Sequence, residues 1–149
     1  KIEDMLNTVV RQISFCQFEK KLHELRPSGE LSSEAIGVAW MEEQKRSLGP
    51  GVDLHEDYAV YWSYIPHFVH TPFYVYAYAF GDCLVNSLYG IYQSNNVGFE
   101  EKYLEMLRAG GSKRHFELLE PFGLDASDPN FWYGGLKVIE DFLDELENG

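Results

Sequence analysis

His67 and His70 stand three residues apart inside the stretch from Tyr58 to Phe80, YAVYWSYIPHFVHTPFYVYAYAF, which holds ten aromatic side chains and two prolines. A phenol or an imidazole joins a flat apolar body to a polar edge, so such a cluster can pack a core and still offer hydrogen-bond donors to a cleft. That combination suits binding and polarising a peptide carbonyl, and a donor held about 3 Å from a developing oxyanion stabilises it. As metal ligands the two histidines are a weak pair. A zinc site takes three or four ligands at suitable spacing, and the chain has no HExxH and no CxxC. A Ser-His-Asp or Cys-His nucleophile system cannot be assembled from spacing either, since Asp82, beside Cys83, has no histidine at a helical interval.

The elements that must position these residues follow from the flanking pattern. Pro66 and Pro72 each disfavour helix for the residue before them, which predicts a loop over Ile65 to Thr71, carrying both histidines, between two helices. FYVYAYAF alternates large and small side chains, as a strand would, but its continuation GDCLVNSLYGIYQ keeps apolar residues at helical spacing for three more turns. One helix from Phe73 to Gln93 is therefore expected. On it Tyr74 and Tyr78 share a face with Gly81 and Val85, while Tyr76 and Phe80 share the opposite side. One of the two faces must be core, and the other is free to present phenols.

Upstream, apolar residues at three- and four-residue steps predict an amphipathic helix from Ile2 to about Leu25, ended by Pro27, Ser28 and Gly29. On it Arg11, Gln12 and Glu19 lie beside Phe15 and Phe18, where an ordinary interhelical ion pair is the expected use of Arg11. A second helix starts at N-cap candidates among residues 30–33 and closes at Gly49-Pro50-Gly51. Downstream come two shorter helices, GFEEKYLEMLRAGG and SKRHFELLEPFG, with AGGSK between them as a helix break and N-cap rather than a phosphate loop. A last helix begins at Asp128 with Pro129 in its first position. The pattern holds no convincing strand, which makes the fold class all-α: residues 1–149 as a single helical domain of six or seven helices.

Composition narrows the function classes. A formal charge of −12 argues against a nucleic-acid partner, which needs clustered lysine and arginine. No apolar run reaches the roughly 18 residues that span a bilayer, so no membrane association is expected and a soluble, cytoplasmic protein is. Cys16 and Cys83, far apart and each in an apolar helical pattern, are expected as buried free thiols in a reducing compartment. The chain opens on Lys1 already in a helical pattern without an N-cap, which reads as a start partway through something larger.

Several motifs together resemble one family. Arg11-Gln12 with Phe15 and Phe18-Glu19, then Ile65-Pro66-His67-Phe68, then Pro72-Phe73-Tyr74-Val75-Tyr76 with Tyr78-Ala79 and Gly81, and finally Leu107-Arg108-Ala109-Gly110-Gly111-Ser112, are similar in order and interval to the C-terminal part of oligoendopeptidase F, one of the thimet-oligopeptidase-like zinc metallopeptidases. The resemblance implies the C-terminal part of a mainly helical, zincin-like catalytic domain that hydrolyses short peptides. It also implies a zinc cofactor held by HExxH and a further glutamate, all upstream of the matched region, so that this chain binds no metal and is inactive by itself. The implied partners are an oligopeptide substrate and the N-terminal portion of the same enzyme. By motif position, His67, Tyr74 and Tyr78 correspond to the wall of the cleft that stabilises the oxyanion, with Tyr76 and His70 as substrate-binding neighbours. Val69 and Ala77 stand where the family commonly has a tyrosine and a polar residue, which bears on substrate preference. Two other readings stay open: a noncatalytic helical peptide-binding or interaction module, and a scaffold whose aromatics are all core. A half-cleft exposes apolar surface, so self-association of the chain is expected.

Overall fold

A computed structural model describes residues 2–94 and 97–148. Among these, every regular element is helical. Eight α-helical segments occur, α1 (Ile2–Leu6), α2 (Gln12–Leu25), α3 (Ser33–Leu48), α4 (His67–His70), α5 (Tyr76–Ser94), α6 (Phe99–Ala109), α7 (His115–Leu119) and α8 (Pro129–Asn148), with short 3₁₀ turns among them. The chain groups into two compact units, one covering Glu3–Phe80 and the other running from Gly81 on. Helix α5 begins in the first and ends in the second. No described helix is long and apolar enough to cross a membrane.

In the first unit, α1 and α2 are joined by a π-helical turn, Asn7–Arg11, into the continuous run that the sequence predicts. Its apolar stripe buries Val9, Phe15 and Phe18, and it stops at the 3₁₀ turn Arg26–Ser28 followed by Gly29 at φ 141°. Helix α3 is capped by Ser32, whose hydroxyl accepts the Ala35 N–H at 3.2 Å, one of the expected cap candidates. It packs on α2 through Ala39 and Trp40, and a buried hydrogen bond from the Gln44 amide to the Ser14 hydroxyl ties the two helices together. The rings of Phe18 and Trp40 meet edge to face, with centroids 5.1 Å apart. Ile65 and Val75 complete this core, and Phe68 packs against it. Much of the aromatic content of the sequence is thereby spent on packing.

In the first unit two boundaries differ from the sequence expectation, both beside prolines. The segment expected as a loop over 65–71 contains a helical turn, α4, in which the Val69 and His70 N–H groups donate to the Pro66 carbonyl at 3.1 and 2.9 Å. Pro66 does keep Ile65 extended (φ −87°, ψ 99°), but its own φ of −66° is already that of a helix start. The helix expected from Phe73 begins at Tyr76 instead. Phe73 has φ 58°, the left-handed region, which a non-glycine residue enters at a cost of about 1–2 kcal/mol and which no α-helix can include.

The second unit buries Cys83 and Leu88 of α5, Leu119 of α7, and Phe131, Val138 and Ile139 of α8. Helix α8 starts as expected, with the Asp128 carboxylate accepting the Asn130 N–H at 2.9 Å and Pro129 in the first helical position. The AGGSK segment does break the chain, with Gly110 at φ 50° and a 3₁₀ turn over Gly110–Ser112. The cap of α7 lies further on, however: the N-cap residue is Arg114, whose N–H donates to Glu117 Oε2 at 2.9 Å. Cys83 is buried, whereas Cys16 is half-buried because it sits at the edge of the α2 stripe. Burial pushes both thiols above their ordinary range.

Candidate active site

Helix α4, the turn after it and the first turn of α5 bring three of the sequence-derived candidates together. His67, the first residue of α4, has its Nε2 3.1 Å from the Tyr78 hydroxyl. The Tyr74 ring lies parallel to the imidazole, with centroids 6.2 Å apart and planes at 3°. The Tyr78 ring stands edge-on to both, 5.7 Å from His67 and 5.8 Å from Tyr74, each at 89°. The packing residues Phe68, Val75 and Ala79 alternate with this trio and hold its backbone against the core. Both tyrosines stay accessible: Tyr74 is 51% and Tyr78 42% exposed.

Tyr74 and Tyr78 meet although Tyr74 precedes the helix. Its N–H donates to the Thr71 carbonyl at 3.2 Å and its own carbonyl accepts the Ala77 N–H at 2.9 Å, which folds the approach to α5 tightly enough to juxtapose the rings. Among the described residues, His70 and Tyr76 make no side-chain hydrogen bond or ring contact with the trio. Both are exposed, His70 at the end of α4 and Tyr76 at the start of α5.

The left-handed turn at Phe73 is held from α2. Glu19, only 2% exposed, accepts the Phe73 N–H on Oε1 at 2.8 Å, and His23, one helical turn further along, lays its ring 4.5 Å from that of Phe73. A hydrogen bond contributes on the order of 1 kcal/mol even between uncharged partners, comparable with the strain of the turn. The sequence places Glu19 beside Phe15 and Phe18 but assigns it no role of its own. Its position next to Phe18 on the buried stripe, one turn past Phe15, was the available signal. Arg11 also differs from expectation: its Nη2 donates to the Tyr64 hydroxyl and its guanidinium lies 5.1 Å over the Phe15 ring, where an ion pair was expected.

No three His, Cys, Asp or Glu side chains among the described residues gather as a possible metal site. The larger grooves lie away from the histidine. One of about 550 Å³ runs between α3 and the 3₁₀ turn Glu56–Tyr64, lined by Gly37, Val38, Met41, Ala59 and Val60. Ser33, Glu34, Glu42, Lys45 and Glu56 also line it, and no histidine does.

Comparison with known proteins settles the family. The model of peptidase family M3 matches residues 1–138. The chain belongs to peptidase family M3. It is 30% identical over 147 residues to the oligopeptidase PepF of Bacillus subtilis, covering 98% of this chain and 22% of that protein. It is 31% identical over 147 residues to the plasmid-borne oligoendopeptidase F of Lactococcus lactis subsp. cremoris, covering 98% of this chain and 24% of the relative. An oligoendopeptidase F homolog of Borreliella burgdorferi is 30% identical over 148 residues, 99% of this chain and 25% of the relative. The M3 chain thus spans about a quarter of the length of the curated relatives it matches. No solved structure matches it.

Proposed function

We propose that this chain is the C-terminal part of an oligoendopeptidase F-like zinc metallopeptidase that hydrolyses short peptides, and that it supplies the cleft wall facing the metal. The observation that carries this reading is the 3.1 Å contact between His67 Nε2 and the Tyr78 hydroxyl with Tyr74 beside it, a set of donors on an accessible surface in a member of family M3. With its proton on Nε2, His67 donates to the Tyr78 oxygen and leaves the phenol proton free for an acceptor outside. A hydroxyl that accepts one hydrogen bond donates another more strongly. Tyr78 and Tyr74 then bind the oxygen of the scissile carbonyl and hold it more tightly as it gains charge. His70 and Tyr76, exposed on either side, contact the peptide backbone further along the cleft.

On this reading the zinc is held by ligands in the remainder of the protein, consistent with the lack of an HExxH motif in the sequence, and this chain contributes binding and orientation. The chain by itself cleaves nothing on this reading. Its exposed apolar side chains, Val60, Val69, Val85 and Tyr133 among them, face the rest of the enzyme or, in isolation, other copies. A cytoplasmic location goes with the free thiols. Metal analysis tests the assignment directly. The full-length protein should retain about one zinc per chain and cleave oligopeptides, while residues 1–149 alone should do neither. Zinc retained by residues 1–149, or a full-length protein without peptidase activity, would overturn it.

A further inference from the structure

Glu19 is among the most buried charged side chains of the described residues, at 2% exposure, and no ion pair among them includes it. Its one hydrogen-bond partner among the described residues is the Phe73 N–H, 2.8 Å from Oε1, and Oε2 is buried without a hydrogen-bond partner among them. A carboxylate kept in such surroundings must be doing something its apolar equivalent could not. The partner amide belongs to the single described non-glycine residue with positive φ, and the next residue along the chain is Tyr74. The turn lacks the glycine that would enter this conformation unaided, so it is imposed from outside, by Glu19 on the backbone and His23 on the ring.

We infer that Glu19 is a positioning residue: its buried carboxylate fixes the left-handed backbone at Phe73 and so sets where Tyr74 presents its hydroxyl beside His67 and Tyr78. Among the described residues Glu19 makes no hydrogen bond to His67, Tyr74 or Tyr78, and its link to the trio runs through the Phe73 backbone next to Tyr74. The role depends on reach, not on charge. Its kinetic consequence rests on the peptidase reading above, whereas its structural consequence does not.

Two substitutions separate reach from charge. Glu19→Asp keeps the charge and withdraws the carboxylate by one methylene, about 1.5 Å. Glu19→Gln keeps an oxygen at the same reach and removes the charge. Both are compared with wild type in the full-length protein by kcat and KM on a fluorogenic oligopeptide, and by hydrogen exchange of the Phe73 amide. Displacements of about 1 Å in a positioned group cost on the order of 10²-fold, so Glu19→Asp should lose about that much kcat with KM nearly unchanged and should exchange the Phe73 amide faster. Glu19→Gln should resemble wild type in both. Wild-type kcat in Glu19→Asp, or a loss in Glu19→Gln as large as in Glu19→Asp, would overturn the inference. Should Glu19→Asp fail to fold, the Glu19→Gln result decides alone, since a reach-dependent role requires it to stay active. If the wild-type protein cleaves no peptide, the functional reading fails, and the exchange rates still decide whether Glu19 holds the turn.

Discussion

Replacing Gly135 with alanine is expected to destabilise the chain, while the same change one residue earlier is expected to stabilise it. Both glycines lie inside α8, where alanine is favoured over glycine by about 1 kcal/mol. A Cβ on Gly134 would meet nothing nearer than the Ser87 hydroxyl at 4.0 Å, an ordinary contact. On Gly135 it would fall 2.6 Å from the Cys83 carbonyl oxygen, 3.0 Å from the Ser87 hydroxyl and 3.2 Å from the Cys83 Cα. Two of those atoms are helix backbone and cannot turn aside. Ser87 could rotate, but only by giving up its hydrogen bond to the Phe131 carbonyl at 3.0 Å. Overpacking of this kind costs about 1–3 kcal/mol, and the lost hydrogen bond about 1 more. Set against the helix gain, the net loss for Gly135→Ala is about 1–3 kcal/mol. Thermal unfolding followed by far-ultraviolet circular dichroism reads this as a fall of about 3–10 °C, against a rise of about 2–4 °C for Gly134→Ala. A Gly135→Ala chain melting at or above wild type would refute the close approach of α5 and α8.

Two further outcomes follow from burial. Trp40 is fully buried among Phe15, Phe18 and Tyr58, so Trp40→Ala should cost about 3–5 kcal/mol in denaturant unfolding; a loss below 1 kcal/mol would contradict the core. Burial raises the Asp82 carboxyl above its ordinary value, with the Asn86 amide at 3.1 Å working the other way. A raised value contributes stability that is fully present below the unfolded value, about 3.9, and lost as pH rises through the folded one. Asp82→Asn, which keeps an oxygen for Asn86, should therefore match or exceed wild-type stability at neutral pH and lose that advantage as the solution is acidified toward about pH 4. Urea titrations at several pH values check the sign, and an advantage that grew on acidification would be the wrong one.

Helix ends made by local chemistry were legible in the residues. Ser32 caps α3 and Asp128-Pro129 starts α8 through side chains one or two positions from the backbone they serve, and Gly29 and Gly49 stop helices because positive φ suits them. Proline was read only halfway. Its restriction on the preceding residue was applied, but its own helical φ at Pro66 was not, and the short helix carrying His67 was missed for that reason. Phe73 lay beyond any local rule, because its left-handed backbone depends on a carboxylate 54 residues away in sequence. The pairing of Tyr74 with Tyr78 was expected from helical spacing, yet the rings meet through a turn stapled by Thr71 and Glu19. Burial of Glu19 was hidden because charge at a stripe position usually means a solvated edge.

The most direct test of the proposed role of the trio is the kcat of Tyr78→Phe in the full-length protein on a short fluorogenic peptide, measured with its melting temperature. The substitution removes one hydroxyl from a ring that is 42% exposed and leaves the packing in place. If Tyr78, tuned by His67, donates to the oxyanion, kcat falls roughly 10²- to 10³-fold while the melting temperature holds. A wild-type kcat in a folded Tyr78→Phe protein would contradict the account.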